Sequence, residues 1–196
     1  HRRLVGSEMC IRDSITIEPG GQIELSDQPM DHLSQVETSI RNFVRDLKES
    51  IRPIQGRLLF LGAQPLFDLD AIVLSPKKRY RIMYRHMLEV GSLGQWMMKA
   101  TAGTQLSLDY ASLEDLERKF RVLCRLSPFL TAIFSNSPLH LGKPSGYKSF
   151  RSHIWQNTDG TRSGIPGSFI RKDFTIEDYI DSVSYTHLTL PTRAQV

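Results

Sequence analysis

Residues 146–164 read GYKSFRSHIWQNTDGTRSG, a stretch that gathers Lys148, Arg151 and Arg162 with His153, the rings of Tyr147, Phe150 and Trp155, and an Asp159-Gly160 turn. Arginine presents a planar fork of donors that grips carboxylates and phosphates two bonds at a time, so this composition suits a loop that binds an anion. A basic and aromatic surface for single-stranded nucleic acid has the same ingredients. A structural loop with ordinary surface charge is the third reading, and composition does not choose among them. If the stretch is a strand, Arg151 and His153 lie on one side.

A second chemical signal sits near the other end. Residues 15–26, ITIEPGGQIELS, alternate apolar and polar types about Pro19-Gly20-Gly21, which predicts a hairpin with a glycine-rich turn. Ile15, Ile17, Ile23 and Leu25 fall on one face, and Thr16, Glu18, Gln22, Glu24 and Ser26 on the other. Glu18, Gln22 and Glu24 together make an oxygen-rich group of the kind Mg²⁺ accepts. The alternative is a solvated outer face of an edge hairpin. Residues 103–110, GTQLSLDY, alternate again, with Leu106 and Leu108 opposite Gln105, Ser107 and Asp109, which predicts a strand with one polar face.

Other reactive residue types carry less. Cys124 sits at a helical core position with no base beside it, the setting of a buried thiol rather than a nucleophile. His86 and His140 are isolated, and no Ser-His-Asp, Cys-His or HExxH arrangement occurs. LGKPSG (141–146) has glycines and a lysine without P-loop spacing and reads as a turn. KKRYR (77–81) reads as a solvated helix face.

Elements must position these groups. Asp31 is placed to cap a helix in which Leu33, Val36, Ile40, Phe43, Val44, Leu47 and Ile51 recur at helical spacing until Pro53. Residues 57–63, RLLFLGA, suit a buried strand, and 77–88 a helix. Ser112 with Asp115 resembles a capping box, opening a helix that Pro128 kinks or ends. Thr175 with Asp178 opens another. Strands with one polar face among amphipathic helices predict an α+β domain whose sheet carries a site.

Balance and length set bounds. The chain has 196 residues, 25 basic and 21 acidic, for a net charge of +4. Its ends look foreign: Met9 to Asp13 back-translate to ATG TGT ATA AGA GAC, and Tyr185-Thr186-His187 to TAT ACA CAT, the reverse complement of the same core. Residues 1–14 and 183–196 are therefore read as translated sequencing adapter around a fragment of a longer domain at 15–182. Setting aside Arg2, Arg3, Arg12 and Arg193 with Glu8 and Asp13 leaves 21 basic against 19 acidic residues. That balance argues against nucleic-acid or anionic-membrane partners. No apolar run approaches the ~20 residues of a membrane span. With Cys10 in the adapter, Cys124 is the single native thiol, which fits a reducing cytoplasm.

Five blocks, in order and at matching spacing, give the retained chain a resemblance: IEPGGQIELS, KKRYRIMYRHM, GSLGQWMMKATAGTQLSLDY, RKFRV with AIFSNSPLHLGKPSGY, and SFRSHIWQNTDGTRSG. Together they resemble the glutamate-cysteine ligases of the plant and proteobacterial type. The resemblance implies part of a glutamine-synthetase-like fold, with a curved antiparallel sheet lining the active site and helices packed outside. It also implies ATP and Mg²⁺, with glutamate and cysteine as small-molecule substrates. ATP would phosphorylate the γ-carboxylate of glutamate and the cysteine amine would displace the phosphate, the first step of glutathione synthesis.

Carried over residue by residue, the resemblance implies that Glu24 is a Mg²⁺ ligand with Glu18 and Gln22 beside it. Thr104 and Gln105 line the amino-acid site, Arg151 grips the α-carboxylate of glutamate, and His153, Trp155 and Arg162 shape or charge the same pocket. Ser107 stands where the family commonly has Asn, and Ile165-Pro166 replace Met-Leu-Pro after the Arg-Thr-Gly that corresponds to 162–164. Ligation for ergothioneine synthesis, or of another amine, are alternatives within the chemistry. A binding module for nucleic acid or protein is the alternative outside it, opposed by the acidic Glu18 and Glu24. The fragment alone is expected to be inactive.

Overall fold

The computed structural model describes residues 14–188. Residues 1–13 and 189–196, Cys10 among them, lie outside the described residues, and with them most of the segments 1–14 and 183–196 for which adapter is the sequence expectation. No described helix is long and apolar enough to cross a membrane.

The hairpin forms as the alternation requires. β1 (Ser14–Ile17) and β2 (Ile23–Ser26) pair antiparallel with Thr16 opposite Glu24 and Ile17 opposite Ile23. The Glu18 amide closes the turn onto the Gln22 carbonyl at 2.9 Å, and Gly21 takes the positive φ of 85° that favours glycine. Ile15, Ile17 and Ile23 are exposed on the apolar face.

Four of the six α-helices among the described residues form where the sequence placed them. α1 (Leu33–Ile51) begins one residue later than Asp31 would cap it: His32 is the N-cap, and its amide donates to Gln35 Oε1 at 3.1 Å. Pro53 lies in the single 3₁₀ turn that closes α1. α2 (Lys78–Val90) buries Tyr80 and leaves Lys77, Lys78, Arg79 and Arg81 exposed, the solvated basic face expected of it. α3 (Gly94–Ala100) is short. α4 (Leu113–Ile133) starts at Ser112, whose Oγ accepts the Asp115 amide at 3.2 Å. Asp115 receives the Ala111 amide along with Lys119 and Arg118. The Lys119 bond, then the amide and Arg118, hold that carboxyl far below the usual range. Pro128 does not end α4, since a proline removes one amide donor while the helix on both sides keeps its own ladder.

Two strand expectations fail. Residues 57–62 form no strand, and Ala63 makes a single antiparallel bridge to Thr101. Residues 102–110 are exposed chain without ladder pairing, because no described segment offers them a strand edge. What stands in place of a continuous sheet is a row of short backbone bonds. Gln64 and Ala102 amides bond the Ala100 and Gly62 carbonyls, the Gly62 amide bonds the Asn136 carbonyl, and Ser137 exchanges bonds with Lys148 and Phe150. A second ladder, β3 (Leu139–His140) with β4 (Lys143–Pro144), closes through Leu141 and Gly142 at φ of 49° and 74°, the turn expected of LGKPSG.

That row ends in α5 (Phe150–Gln156), where a strand was one expectation. Ser149 caps it, its Oγ accepting the Ser152 amide at 3.3 Å. Ile154 is fully buried against Ala63 and Phe150, with Leu93, Trp96 and Met97 packed around them. A second apolar cluster stacks Phe120 on Phe174 at 5.0 Å, edged by Phe169 and Tyr179, and ties α4 to α6 (Ile176–Leu188). The Thr175 amide donates to Asp178 at 2.9 Å, opening α6 as predicted. The result is a mixed α+β arrangement with two small antiparallel ladders.

Candidate functional site

Arg151 is the most pointed feature. It sits in the first turn of α5, its amide held by Ser137 Oγ at 3.0 Å. Its stem crosses Gly62, where an added Cβ would come within 3.2 Å of Arg151 Cδ. Its head lies against Gly103, where an added Cβ would meet Nη2 at 2.5 Å. The guanidinium is 5.6 Å from the Trp155 ring, the i,i+4 neighbour that a helix brings onto its face. Nε is buried without a hydrogen-bond partner, and Arg151 makes no salt bridge among the described residues. Burial pushes the guanidinium pKa below its ordinary value. Arginine stays charged at any physiological pH. The site is a partly desolvated cation with an unmade bond, which is what a carboxylate or phosphate oxygen would complete.

The other residues of this stretch divide. His153, which the helix turns away from the Trp155 side, stacks on Tyr147 at 4.3 Å and 17°, with Nδ1 3.4 Å from the Asn157 amide nitrogen. Trp155 is 40% exposed, so the ring beneath Arg151 has an open side. Arg162 does not add its charge to Arg151: it pairs with the buried carboxylate of Asp159, and its Nη1 lies 3.2 Å from His86 Nε2. Burial alone would raise the Asp159 carboxyl, but the Thr161 hydroxyl and amide and the Arg162 charge outweigh it and lower the pKa.

Thr104 and Gln105 directly follow Gly103 and are exposed. Glu18 is half-buried and Glu24 exposed, on the one hairpin face that alternation assigned them. Gln22 turns inward instead. Its Oε1 accepts the Gly20 amide at 2.8 Å, and its Nε2 donates to the carbonyls of Met98 at 3.2 Å and Thr101 at 2.9 Å. No group of three or more His, Cys, Asp or Glu side chains suited to a metal occurs among the described residues. Cys124 is free and half-buried, and burial raises its thiol pKa, as expected of an inert position.

Ser137 and Gly62 were not singled out from the sequence, and Asp159 stood there only as part of an Asp-Gly turn. Gly103, the first residue of the alternating run, carried the one legible signal, since a glycine allows close approach of another group.

A profile of glutamate-cysteine ligase family 2 matches residues 6–193. The chain belongs to this family. Among curated relatives, glutamate-cysteine ligase A of Oryza sativa subsp. japonica, a chloroplastic protein, is 43% identical over 170 residues, covering 87% of this chain and 35% of its own. The chloroplastic ligases of Nicotiana tabacum and Arabidopsis thaliana are 42% and 40% identical over 170 residues, each covering 87% of this chain and 33% of its own. The chain spans about a third of the length of the curated relatives it matches. Within this glutamate-cysteine ligase family chain, Arg151 with Gly62, Gly103 and Trp155 forms one locus, and the Glu18 and Glu24 face a second.

Proposed function

We propose that this chain is part of an enzyme that joins the γ-carboxyl of glutamate to the amine of cysteine at the expense of ATP, the opening step of glutathione synthesis. The observation that carries the reading is the unpartnered, half-buried Arg151 guanidinium. A ligase of two amino acids must hold an α-carboxylate while the γ-carboxylate reacts, and a bidentate arginine does so with fixed geometry. The γ-carboxylate oxygen attacks the terminal phosphorus of ATP and ADP leaves. The amine nitrogen then attacks the acyl carbon, the acyl–oxygen bond breaks, phosphate leaves, and the amine sheds a proton. In this reading Arg151 fixes the distal carboxylate, Trp155 and Gly103 shape its seat, and Thr104 and Gln105 border it.

Glu18 and Glu24 suit Mg²⁺ as it is commonly held, through one or two carboxylates with substrate phosphates completing the shell. When bound there, the ion would neutralise phosphate charge that otherwise repels the glutamate carboxylate. The same reading assigns the chain to part of a glutamine-synthetase-like fold, with a curved antiparallel sheet lining the active site and helices packed outside. A cytoplasmic setting is part of the same proposal, and the free thiol of Cys124 is compatible with it.

The test is a chimera in which residues 15–182 replace the matched segment of the rice ligase A. ADP formation that requires both glutamate and cysteine is the expected result. ADP formation that ignores cysteine but follows another amine would reassign the acceptor, and a folded chimera without glutamate-dependent turnover would overturn the ligase reading.

A further inference from the structure

The last carbonyls of a helix have no partner within it and must find one elsewhere. At the end of α3 these partners come from three places. Thr101 Oγ1 bonds the Met97 carbonyl at 2.7 Å, and the Gln64 amide bonds the Ala100 carbonyl at 2.8 Å. The Met98 and Thr101 carbonyls are taken by the two amide hydrogens of Gln22, from a hairpin 76 and 79 residues away. The remaining polar atom of Gln22, Oε1, holds the Gly20 amide. Gly20 itself lies so close to the helix end that a Cβ there would stand 2.1 Å from the Lys99 carbonyl oxygen, a backbone contact that cannot move aside. The Ser75 amide pins the buried Pro19 carbonyl at 2.7 Å from a third direction.

We infer that Gln22 is a positioning residue, a clip that seats the acidic hairpin on the end of α3 and thereby fixes Glu18 and Glu24 relative to the Arg151 locus. The connection is short. Thr101 accepts the clip, the Ala102 amide bonds Gly62, and Gly103 touches the guanidinium. Both glycines that flank Arg151 are therefore one or two residues from bonds that the clip helps to hold. Only a carboxamide supplies one acceptor and two donors at this spot. The isosteric carboxylate would keep the acceptor but point a negative oxygen at two carbonyls. This sets Gln22 apart from Glu18 and Glu24, whose carboxylates make no ion pair among the described residues. The purpose assigned to the clip rests on the ligase reading, but its geometry and its test do not, and the chimera assay examines that reading separately.

The experiment uses the ¹⁵N-labelled 196-residue chain with Gln22→Glu and Gln22→Met, reading the amides of Gly20, Ala102 and Gly103 and the Arg151 side-chain Nε–H by NMR. At pH 7, repulsion between the Gln22→Glu carboxylate and the Met98 and Thr101 carbonyls should swing the side chain out, so that Gly20 loses its acceptor and with it about tenfold of exchange protection, the scale of one net hydrogen bond, and Ala102, Gly103 and Arg151 Nε should shift. At about pH 4, where a carboxyl regains its proton, its O–H donates again and those signals should return toward wild type, titrated in parallel as the control. Gln22→Met leaves no charge and should shift the same four signals at both pH values, so that a charge-driven collapse of the first variant is told apart from loss of the clip. Shifts confined to residues 18–22 in both variants, with Ala102, Gly103 and Arg151 Nε unmoved, would overturn the inference. So would a Gln22→Glu variant whose four signals ignore pH.

Discussion

Replacing Arg151 by methionine should leave the fold as stable as before or up to about 1 kcal/mol more stable, the reverse of what a partly buried substitution does on average. The argument has three parts. An unmade hydrogen bond on a buried donor costs about 1–3 kcal/mol, and Nε of Arg151 is such a donor. Part of the guanidinium is exposed, so the lower end of that range applies. Against it stands the loss of a cation over Trp155, worth about 0.5–1 kcal/mol at a ring 40% exposed. Methionine keeps an unbranched apolar stem across Gly62. The assay is urea unfolding followed by fluorescence of Trp96 and Trp155, the chain's two tryptophans. With a slope of about 1–3 kcal/mol per molar, the midpoint should hold or rise by at most roughly 0.3–1 M. Arg162→Met is the internal contrast, because it strips the partner from the buried Asp159 and should cost at least about 2 kcal/mol. A fall of more than about 1 kcal/mol for Arg151→Met would mean that Arg151 serves the scaffold, and the reasoning that it is held ready for a ligand would fail.

Two further outcomes follow from the core and the acid network. Ile154→Ala should cost about 3–4 kcal/mol in the same urea assay, since Ile154 is fully buried against Ala63, Phe150 and Trp96; a loss under about 1 kcal/mol would contradict the core assignment. Asp159 has a folded pKa below its unfolded one, so its stabilisation is present above the ordinary carboxyl pKa of about 3.9 and is lost as pH falls through the lower folded value. Asp159→Asn should therefore be less stable than wild type at pH 7, with the gap narrowing below about pH 4, and a gap that stays constant with pH would refute the role given to this carboxylate.

Local patterns were legible where a bond closes within a few residues. The hairpin register, the Ser112 cap of α4, the Thr175 opening of α6 and the LGKPSG turn all depend on near neighbours, and all form. What the pattern could not give were pairings that need a distant partner. The alternation of 103–110 states which sides would face in and out of a sheet, but a strand exists only beside another strand, and no described segment lies along it. The 146–164 stretch invited a strand reading because its polar residues fall two apart, yet Ser149 caps a helix and the relevant spacing is the four residues from Arg151 to Trp155. Pro128 reads as a kink or an end, and α4 runs past it. Gln22 was grouped with its acidic neighbours by face alone. Its partners are carbonyls 76 and 79 residues on, and nothing local announces them. Among the candidate site residues, Arg151 was identified by type, whereas the Gly62, Gly103 and Ser137 contacts that make it a site depend on the fold.

The most direct test of the central claim is the glutamate dependence of the rice-ligase chimera with Arg151, with Arg151→Lys and with Arg151→Ala. The loss of one partner from a buried, hydrogen-bonded charge pair costs about 2–5 kcal/mol, so Arg151→Ala should lower kcat/KM for glutamate by at least roughly thirtyfold. Arg151→Lys, which keeps the charge but not the fork, should recover part of it. Glutamate kinetics unchanged in the alanine variant would contradict the assignment of Arg151 as the carboxylate anchor.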